Sequence, residues 1–346
     1  MILIDCVYIN NSGGKILLEY FIETAIKKNR INNFFFLLDI RIELNEKLKN
    51  VIINYEYVIN KENYRVKFYR NNIKHIKSIF CFANVPPPIL IKNINIFILF
   101  HNTLLLNPWT TVRSEIMKPF IFYLKKLYIK FKNNNNYIWI VQTKSVKDNL
   151  SKKLNINESN IKILPFFYND KPKDCNQRLA KNNNNFLYVA DGSGQKNHKN
   201  LLKSIEYLPT DLAKSINLHL TIPLSSKIII KKIFNMQSQG YNIINHGYCT
   251  KDKINSLYKK CNFLIFPSKT ESFGLPLLEA SFFNCKIVAS DLSFVYDIID
   301  PLEVFNPNDP KSISFAIQRA FNSKKNIINN IKIQNQIDEI FNLLLC

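Results

Sequence analysis

Short apolar runs, most of them continuous, alternate along this chain with longer stretches whose apolar positions recur at helical spacing. In the first half the runs lie near 2–9, 35–40, 51–58, 78–83, 96–101, 138–142 and 161–165. In the second half they lie near 186–190, 217–222, 242–245, 262–267, 285–290 and 302–305. Ile96-Phe97-Ile98-Leu99-Phe100 is typical: it is apolar at every position rather than at alternate ones. Such runs suit parallel strands covered on both faces, and strands alternating with helices predict an α/β, doubly wound parallel sheet. The Asn tracts Asn133–Asn136 and Asn182–Asn185 read as surface loops. The polar segment Tyr168–Asp174, which contains Pro172, reads as a linker between two halves of similar size. The expected domains are therefore 1–168 and 169–346, and the helical tail from about 326 to 346 can pack back on the first.

A length of 346 residues agrees with two domains of ordinary size. With 47% apolar and 21% charged residues the chain is globular rather than disordered. The net charge of +21 serves solubility or an anionic partner equally well. The seven cysteines form no CxxC pair and several sit in apolar runs, so they read as small buried hydrophobes in a reducing compartment. Met1–Asp5 is too short an apolar start for a secretory leader, and no run approaches the ~20 residues of a membrane span. The expectation is a soluble chain, or one attached to a membrane at its surface.

The most informative stretch is Asn262–Ala280. It begins as a buried strand, passes through a loop holding Ser268, Thr270 and Gly274, and enters a helix with Pro276 at the expected first position. The first turn of a helix leaves backbone N–H groups unpaired and carries partial positive charge, so this junction suits an anion. Gly274 admits a close backbone approach. Glu271 lies in the loop, and Glu279 lies about one turn inside the helix with its side chain leaning back toward the start. A carboxylate can grip the vicinal diol of a ribose or hexose.

Glu271 through Ala280, with Pro267-Ser268 ahead, resembles the Glu–seven residues–Glu motif of retaining GT-B glycosyltransferases of glycosyltransferase family four. The resemblance implies two Rossmann-like domains with a cleft between them. It implies that Glu279 holds the donor ribose, that Glu271 lies at the donor sugar, and that the amides of Phe273, Gly274 and Leu275 contact sugar or diphosphate. Tyr188-Val189-Ala190 followed by Lys196-Asn197-His198-Lys199 is similar to the family's strand, loop and Lys before a helix. That places the diphosphate contact on Lys196, with Lys199 as second choice. The Arg that many members carry before this Lys is absent from Asp191–Gln195. Asn245-His246-Gly247 and the turn Phe305–Pro310 extend the likeness, which covers about 186–322 well and the first half loosely.

In the first half, Asn10-Asn11-Ser12-Gly13-Gly14-Lys15 reads as a tight turn with exposed amides, without the spacing of a Walker loop. The resemblance places Gly13 and Gly14 near the donor phosphates and the acceptor. His101 ends the 96–100 run, a good position for a site residue, and the resemblance puts it at the donor sugar. The catalytic candidates are Glu271 and His101. The aromatic and basic stretch Pro119–Lys132, if helical, suits either an anionic membrane surface or a core helix with its lysines in solvent.

The implied reaction moves a sugar from a nucleotide-sugar donor to a glycan or lipid-linked glycan acceptor. The resemblance implies retention at the anomeric carbon, in the setting of bacterial surface polysaccharide or lipid-linked oligosaccharide synthesis. No Asp-x-Asp pair is present, so neither metal nor other cofactor is expected. The expected location is cytoplasmic, with attachment to the inner face of the membrane as an option, and no nucleic acid is expected. The rivals are a nucleotide-sugar epimerase or sugar phosphorylase of the same architecture, a basic nucleic-acid-binding protein, and a dehydrogenase with a decayed fingerprint at Gly192–Asn197. The spread of lysines argues against the second rival, and a missing third glycine argues against the last.

Overall fold

A computed structural model describes residues 1–10, 12–107, 117–169, 182–324 and 329–345. The described residues divide into two compact units. The first holds 1–107, 117–169 and 334–345, and the second holds 182–324 and 329–333. Of the expected linker, 170–174 falls outside the described residues, as do Cys175 and Cys346.

The first unit runs β1 (Ile2–Cys6), α1 (Ser12–Lys27), β2 (Phe34–Asp39), α2 (Glu46–Lys49), β3 (Tyr55–Val58), α3 (Glu62–Asn72), β4 (Ser78–Cys81), β5 (Asn95–Leu99), α4 (Met117–Lys132), β6 (Ile138–Val141), α5 (Lys144–Leu154) and β7 (Ile161–Ile163). Among the described residues its strands form one parallel sheet in the order β3-β2-β1-β4-β5-β6-β7. Because side chains alternate across a strand, each strand feeds both faces. Ile4, Phe36, Phe80 and Phe97 pack on one side against α1, and Leu3, Leu37, Ile79 and Ile98 pack on the other. This double burial is why the strands read as continuous apolar runs.

The second unit runs β8 (Asn182–Tyr188), α6 (His198–Ile205), α7 (Thr210–Ser215), β9 (Asn217–Leu220), α8 (Lys227–Ser238), β10 (Ile243–Asn245), α9 (Lys251–Lys260), β11 (Cys261–Phe266), α10 (Leu275–Phe282), β12 (Lys286–Ser290), α11 (Ser293–Tyr296), β13 (Glu303–Phe305) and α12 (Pro310–Asn322). Its parallel sheet has the order β10-β9-β8-β11-β12-β13. Every residue of β11 is buried. Capping is legible locally: Thr250 accepts from the Lys253 amide ahead of α9, and Asp309 accepts from Lys311 ahead of α12, which begins with Pro310.

The last helix, α13 (Ile337–Leu345), belongs to the first unit. Ile337, Ile340, Phe341 and Leu344 enter the core that contains Phe21 and Phe34, and the Phe341 ring lies 4.9 Å from Phe21 and 5.8 Å from Phe34. Ser78 donates to the Leu344 carbonyl at 3.2 Å.

Two local readings need correction. Asn182–Asn185 is the first part of β8, not a surface loop. Asn185 is buried; it accepts from Asn217 at 2.8 Å and donates to the Lys260 carbonyl at 3.5 Å, so its amide is satisfied inside the sheet. Gly13 and Gly14 do not form a turn; they lie in the first turn of α1.

The first unit also buries a charged cluster. The Arg65 guanidinium, 1% exposed, meets Asp5 at 2.7 Å and Glu62 at 3.3 Å, and Tyr69 donates to Asp5 at 2.6 Å. Glu62 in turn accepts from Tyr8 at 2.5 Å and from Tyr128 of α4. Buried charge is tolerated here because each group has a partner of opposite sign or a donor.

Candidate functional site

Open α/β sheets bind ligands at the carboxyl edge where the strand order reverses. In the second unit that reversal falls between β8 and β11. The loop after β8 and the loop after β11 meet there. Lys196 Nζ donates to Glu271 Oε1 at 2.7 Å, and both side chains are mostly buried. Burial works to lower the Lys196 pKa, but the charge and hydrogen bond of Glu271 override it and the net direction is upward. Lys196 therefore stays cationic at this edge.

The turn that carries Lys196 is stitched to the loop after β11 at several points. The Gln195 carbonyl accepts from the Lys269 amide at 2.9 Å. Tyr188, at the end of β8, donates its hydroxyl proton to the Lys196 carbonyl at 2.8 Å, so the Ser268 hydroxyl 2.9 Å away donates to Tyr188. Asn197 sits in the left-handed region at φ 61°, which Asn tolerates better than most residues. Its amide donates to the carbonyls of Pro267 at 3.0 Å and Pro307 at 2.7 Å, and Asn200 reaches the same Pro307 carbonyl at 2.9 Å. One side chain thus fixes three loops at the sheet edge.

The helix after the β11 loop is α10. Gly274 is its N-cap at φ 80°, a conformation strained for any residue with a Cβ, and a Cβ there would lie 3.2 Å from Leu277 Cδ1. Pro276 follows Leu275 as the second helical residue, one place later than the sequence suggests. Phe273, just ahead of the cap, is buried. Glu279 accepts from the buried Tyr258 hydroxyl of α9 at 2.9 Å. Burial, with the charge of Glu279 adding to it, pushes the Tyr258 phenol well up, so it keeps its proton and donates. Lys199 is exposed on α6, and its charge, after burial, lowers the Lys269 pKa.

In the first unit the strand order reverses between β1 and β4. The first turn of α1 follows β1, and His101 follows β5. A Cβ at Gly14 would fall 3.0 Å from His101 Cε1 and 3.1 Å from Ile9 Cδ1, so the glycine lets the helix start lie against the imidazole. His101 Nε2 lies 3.1 Å from the Phe82 carbonyl, and the His101 amide donates to Asn84 Oδ1 at 2.6 Å. Burial lowers the imidazole to about 4, so it is neutral near pH 7. Nε2 also lies 3.3 Å from Asn84 Nδ2, so the ring is held between the Phe82 carbonyl and the Asn84 amide.

The structure thus brings Lys196 to Glu271, places Phe273, Gly274, Leu275 and Glu279 at or within α10, and sets Gly14 against His101, with Gly13 in the same helical turn. It leaves Lys199 apart from the Lys196–Glu271 pair. The sequence reading gave no role to Tyr188, Asn197 or Tyr258. Tyr258 carried only a core-spacing signal in its helix, and the partners of Asn197 lie 70 and 110 residues away. Among the described residues no group of three His, Cys, Asp or Glu is placed to hold a metal ion, and no helix is long and apolar enough to cross a membrane.

Comparison with known proteins bears on the fold. The O-antigen chain mannosyltransferase RfbU of Salmonella typhimurium is 24% identical over 239 residues, which is 63% of this chain and 62% of that protein, so the match spans less than two thirds of the relative. The structure of Anabaena HepE in complex with UDP and glucose superposes with a TM-score of 0.67 at 13% identity, covering 98% of this chain and 94% of that one. Sucrose-phosphate synthase from Thermosynechococcus elongatus superposes at 0.69 and 14% identity, covering 99% and 94%. At these identities the likeness establishes the fold, a two-domain α/β Rossmann-like architecture, and not the substrate. Residues 170–336, nearly half of the chain and almost all of its second unit, match the family model for glycosyl transferases group 1.

Proposed function

We propose that this chain transfers a sugar from a nucleotide-sugar donor to a glycan acceptor in bacterial polysaccharide synthesis, with retention at the anomeric carbon and without a metal ion. The observation that carries the reading is the Lys196–Glu271 pair at the β8/β11 switch point, beside the start of the helix that carries Glu279. Lys196 and the first-turn amides of α10 would stabilise the charge that develops on the departing diphosphate. Glu279, oriented by Tyr258, would hold the ribose hydroxyls, and Glu271 would position the donor sugar. In the first unit, His101, neutral near pH 7, would meet a sugar hydroxyl without adding charge.

The glycosyl carbon–oxygen bond to the diphosphate breaks, a bond to the acceptor oxygen forms on the same face, and the acceptor proton passes to the leaving phosphate oxygen. The matched domain and the O-antigen role of RfbU support the polysaccharide setting, and UDP with glucose in HepE supports a nucleotide-sugar donor. We take the acceptor to be a growing, lipid-linked glycan reached from the cytoplasmic side.

A thermal-shift screen against nucleoside diphosphates and their sugars, followed by product analysis, tests the reading. A glycoside product supports it; a free epimer or sugar phosphate overturns it. Glu279→Ala should weaken nucleoside diphosphate binding about tenfold or more, the scale of a lost hydrogen bond to a charged group. Glu271→Ala should lower turnover with little change in nucleotide affinity. Activity that collapses in EDTA and returns with Mn would refute the metal-free mechanism.

A further inference from the structure

The sheet of the first unit ends on one side in β3. The Asn54 carbonyl accepts from Phe36 of β2 at 2.9 Å, and the Val58 carbonyl accepts from Ile40 at 3.0 Å. Backbone groups alternate in direction along a strand, so those of Ile53, Tyr55 and Tyr57 point the other way, off the end of the sheet. Every residue from Ile53 to Tyr57 is exposed, Ile53 at 76%, while Ile52 and Val58 on either side are buried. By the same alternation Ile53, Tyr55 and Tyr57 share one face, and the two phenol rings meet edge to face at 5.4 Å.

Native sheets ordinarily guard an edge strand with lysine, proline or a bulge. The register of β3 with β2 runs without a shift. The chain holds 47 lysines and arginines, yet Asn50 to Asn60 contains none of them, nor any proline or glycine, and Glu56 is its one charge. Its β-branched and aromatic residues are those that pair well across strands. The segment is also complementary to itself. Laid antiparallel on a second copy about a two-fold axis at Tyr55, the centre of the exposed stretch, each Tyr55 exchanges two backbone hydrogen bonds with its counterpart. Tyr57 then faces Ile53 of the partner subunit, an aromatic ring against a β-branched side chain. Glu56 faces Asn54 of the partner subunit, whereas an axis at Glu56 would set two carboxylates directly opposite each other. The two-fold uses up both edges and closes the assembly. Because β3 lies two strands from β1, such pairing leaves the carboxyl edge at the β1/β4 reversal free. We propose that β3 pairs antiparallel with β3 of a second copy of this chain, joining two first units through one continuous sheet. The proposal stands apart from the transfer reaction, since mass and cross-links are read without turnover.

Sedimentation velocity of the full chain tests it. The wild type should sediment as a dimer at about 10–100 µM. Added salt should tighten the dimer, since two copies of net charge +21 repel at long range and salt screens that repulsion. Tyr55→Lys places two ammonium groups opposite each other at the axis and should weaken association about tenfold or more, with the circular dichroism melt unchanged. Tyr55→Cys should give a disulfide-linked dimer on mild oxidation, above the wild-type background, because paired Cα atoms about 5.5 Å apart lie within the span of a disulfide. Tyr57→Cys should not, because its two copies would stand about 13 Å apart along the strands. A wild type that stays monomeric at about 100 µM overturns the proposal and leaves the edge to a strand of another protein. A dimer that Tyr55→Lys does not weaken overturns it, and so does cross-linking by Tyr57→Cys in place of Tyr55→Cys.

Discussion

Replacing Asn197 probes the stitching of the sheet edge most directly. Its amide donates two buried hydrogen bonds, to Pro267 and Pro307, from a backbone at φ 61°. Asn197→Gly keeps the left-handed backbone free of strain and deletes both bonds. The Pro307 carbonyl retains Asn200 as a donor, whereas the Pro267 carbonyl loses its Asn197 donor. Two net hydrogen bonds at about 1 kcal/mol each, with up to about 1 kcal/mol for the added freedom of glycine, give a loss of about 2–3 kcal/mol. Asn197→Ala loses the same bonds and places a Cβ in the left-handed region, costing about 1–2 kcal/mol in place of the glycine entropy, so it should be slightly worse. Asn197→Asp is nearly isosteric but points carboxylate oxygens at two carbonyls, and it should be the worst of the three. Chemical denaturation of the three variants, followed by a probe in the second unit, reads the order. Isothermal titration with a nucleoside diphosphate reads the displacement of Lys196 as a loss of affinity. An Asp variant as stable as the wild type would refute the reasoning, because packing alone would then explain the position.

Gly14→Val should lower turnover and cost about 1–3 kcal/mol of stability, since even a Cβ falls 3.0 Å from His101 Cε1; unchanged steady-state rates with folded variant would show that the two do not need to touch. Burial holds His101, His198 and His219 at about 4, against an ordinary value of 6.5. The unfolded chain takes up protons at these groups near pH 6.5, and the folded chain does so only near pH 4. Their contribution to stability is therefore full above pH 6.5 and is lost as pH falls toward 4, by up to about 3 kcal/mol for the well-buried His198. Denaturation midpoints measured between these limits should fall with pH, and a flat profile would contradict the burial of these rings.

The sheets were legible because parallel strands covered on both faces are apolar at successive positions, as Ile96–Leu99 and Phe263–Phe266 are. The opening of β8 was hidden because Asn is a poor strand residue; its amides at Asn184 and Asn185 bond to carbonyls brought up by other elements, information that no local window holds. Gly13-Gly14 reads as a turn because glycine disfavours helices, and the close approach to His101 outweighs that preference. At the candidate site, the acid and the helix start after β11 were visible from their own neighbourhood. The groups that hold them, Tyr188, Asn197 and Tyr258, were not, since each acts through partners distant in sequence.

The return of α13 to the first unit governs the order in which a nascent chain can mature. A domain made early on the ribosome ordinarily folds before its successor. Here the place of Phe341 against Phe21 and Phe34 cannot be filled until that residue has been translated. The second unit is complete in sequence by then, so the part synthesised first closes last. Until that moment, the aromatic floor of the first unit lacks the cover that α13 gives it.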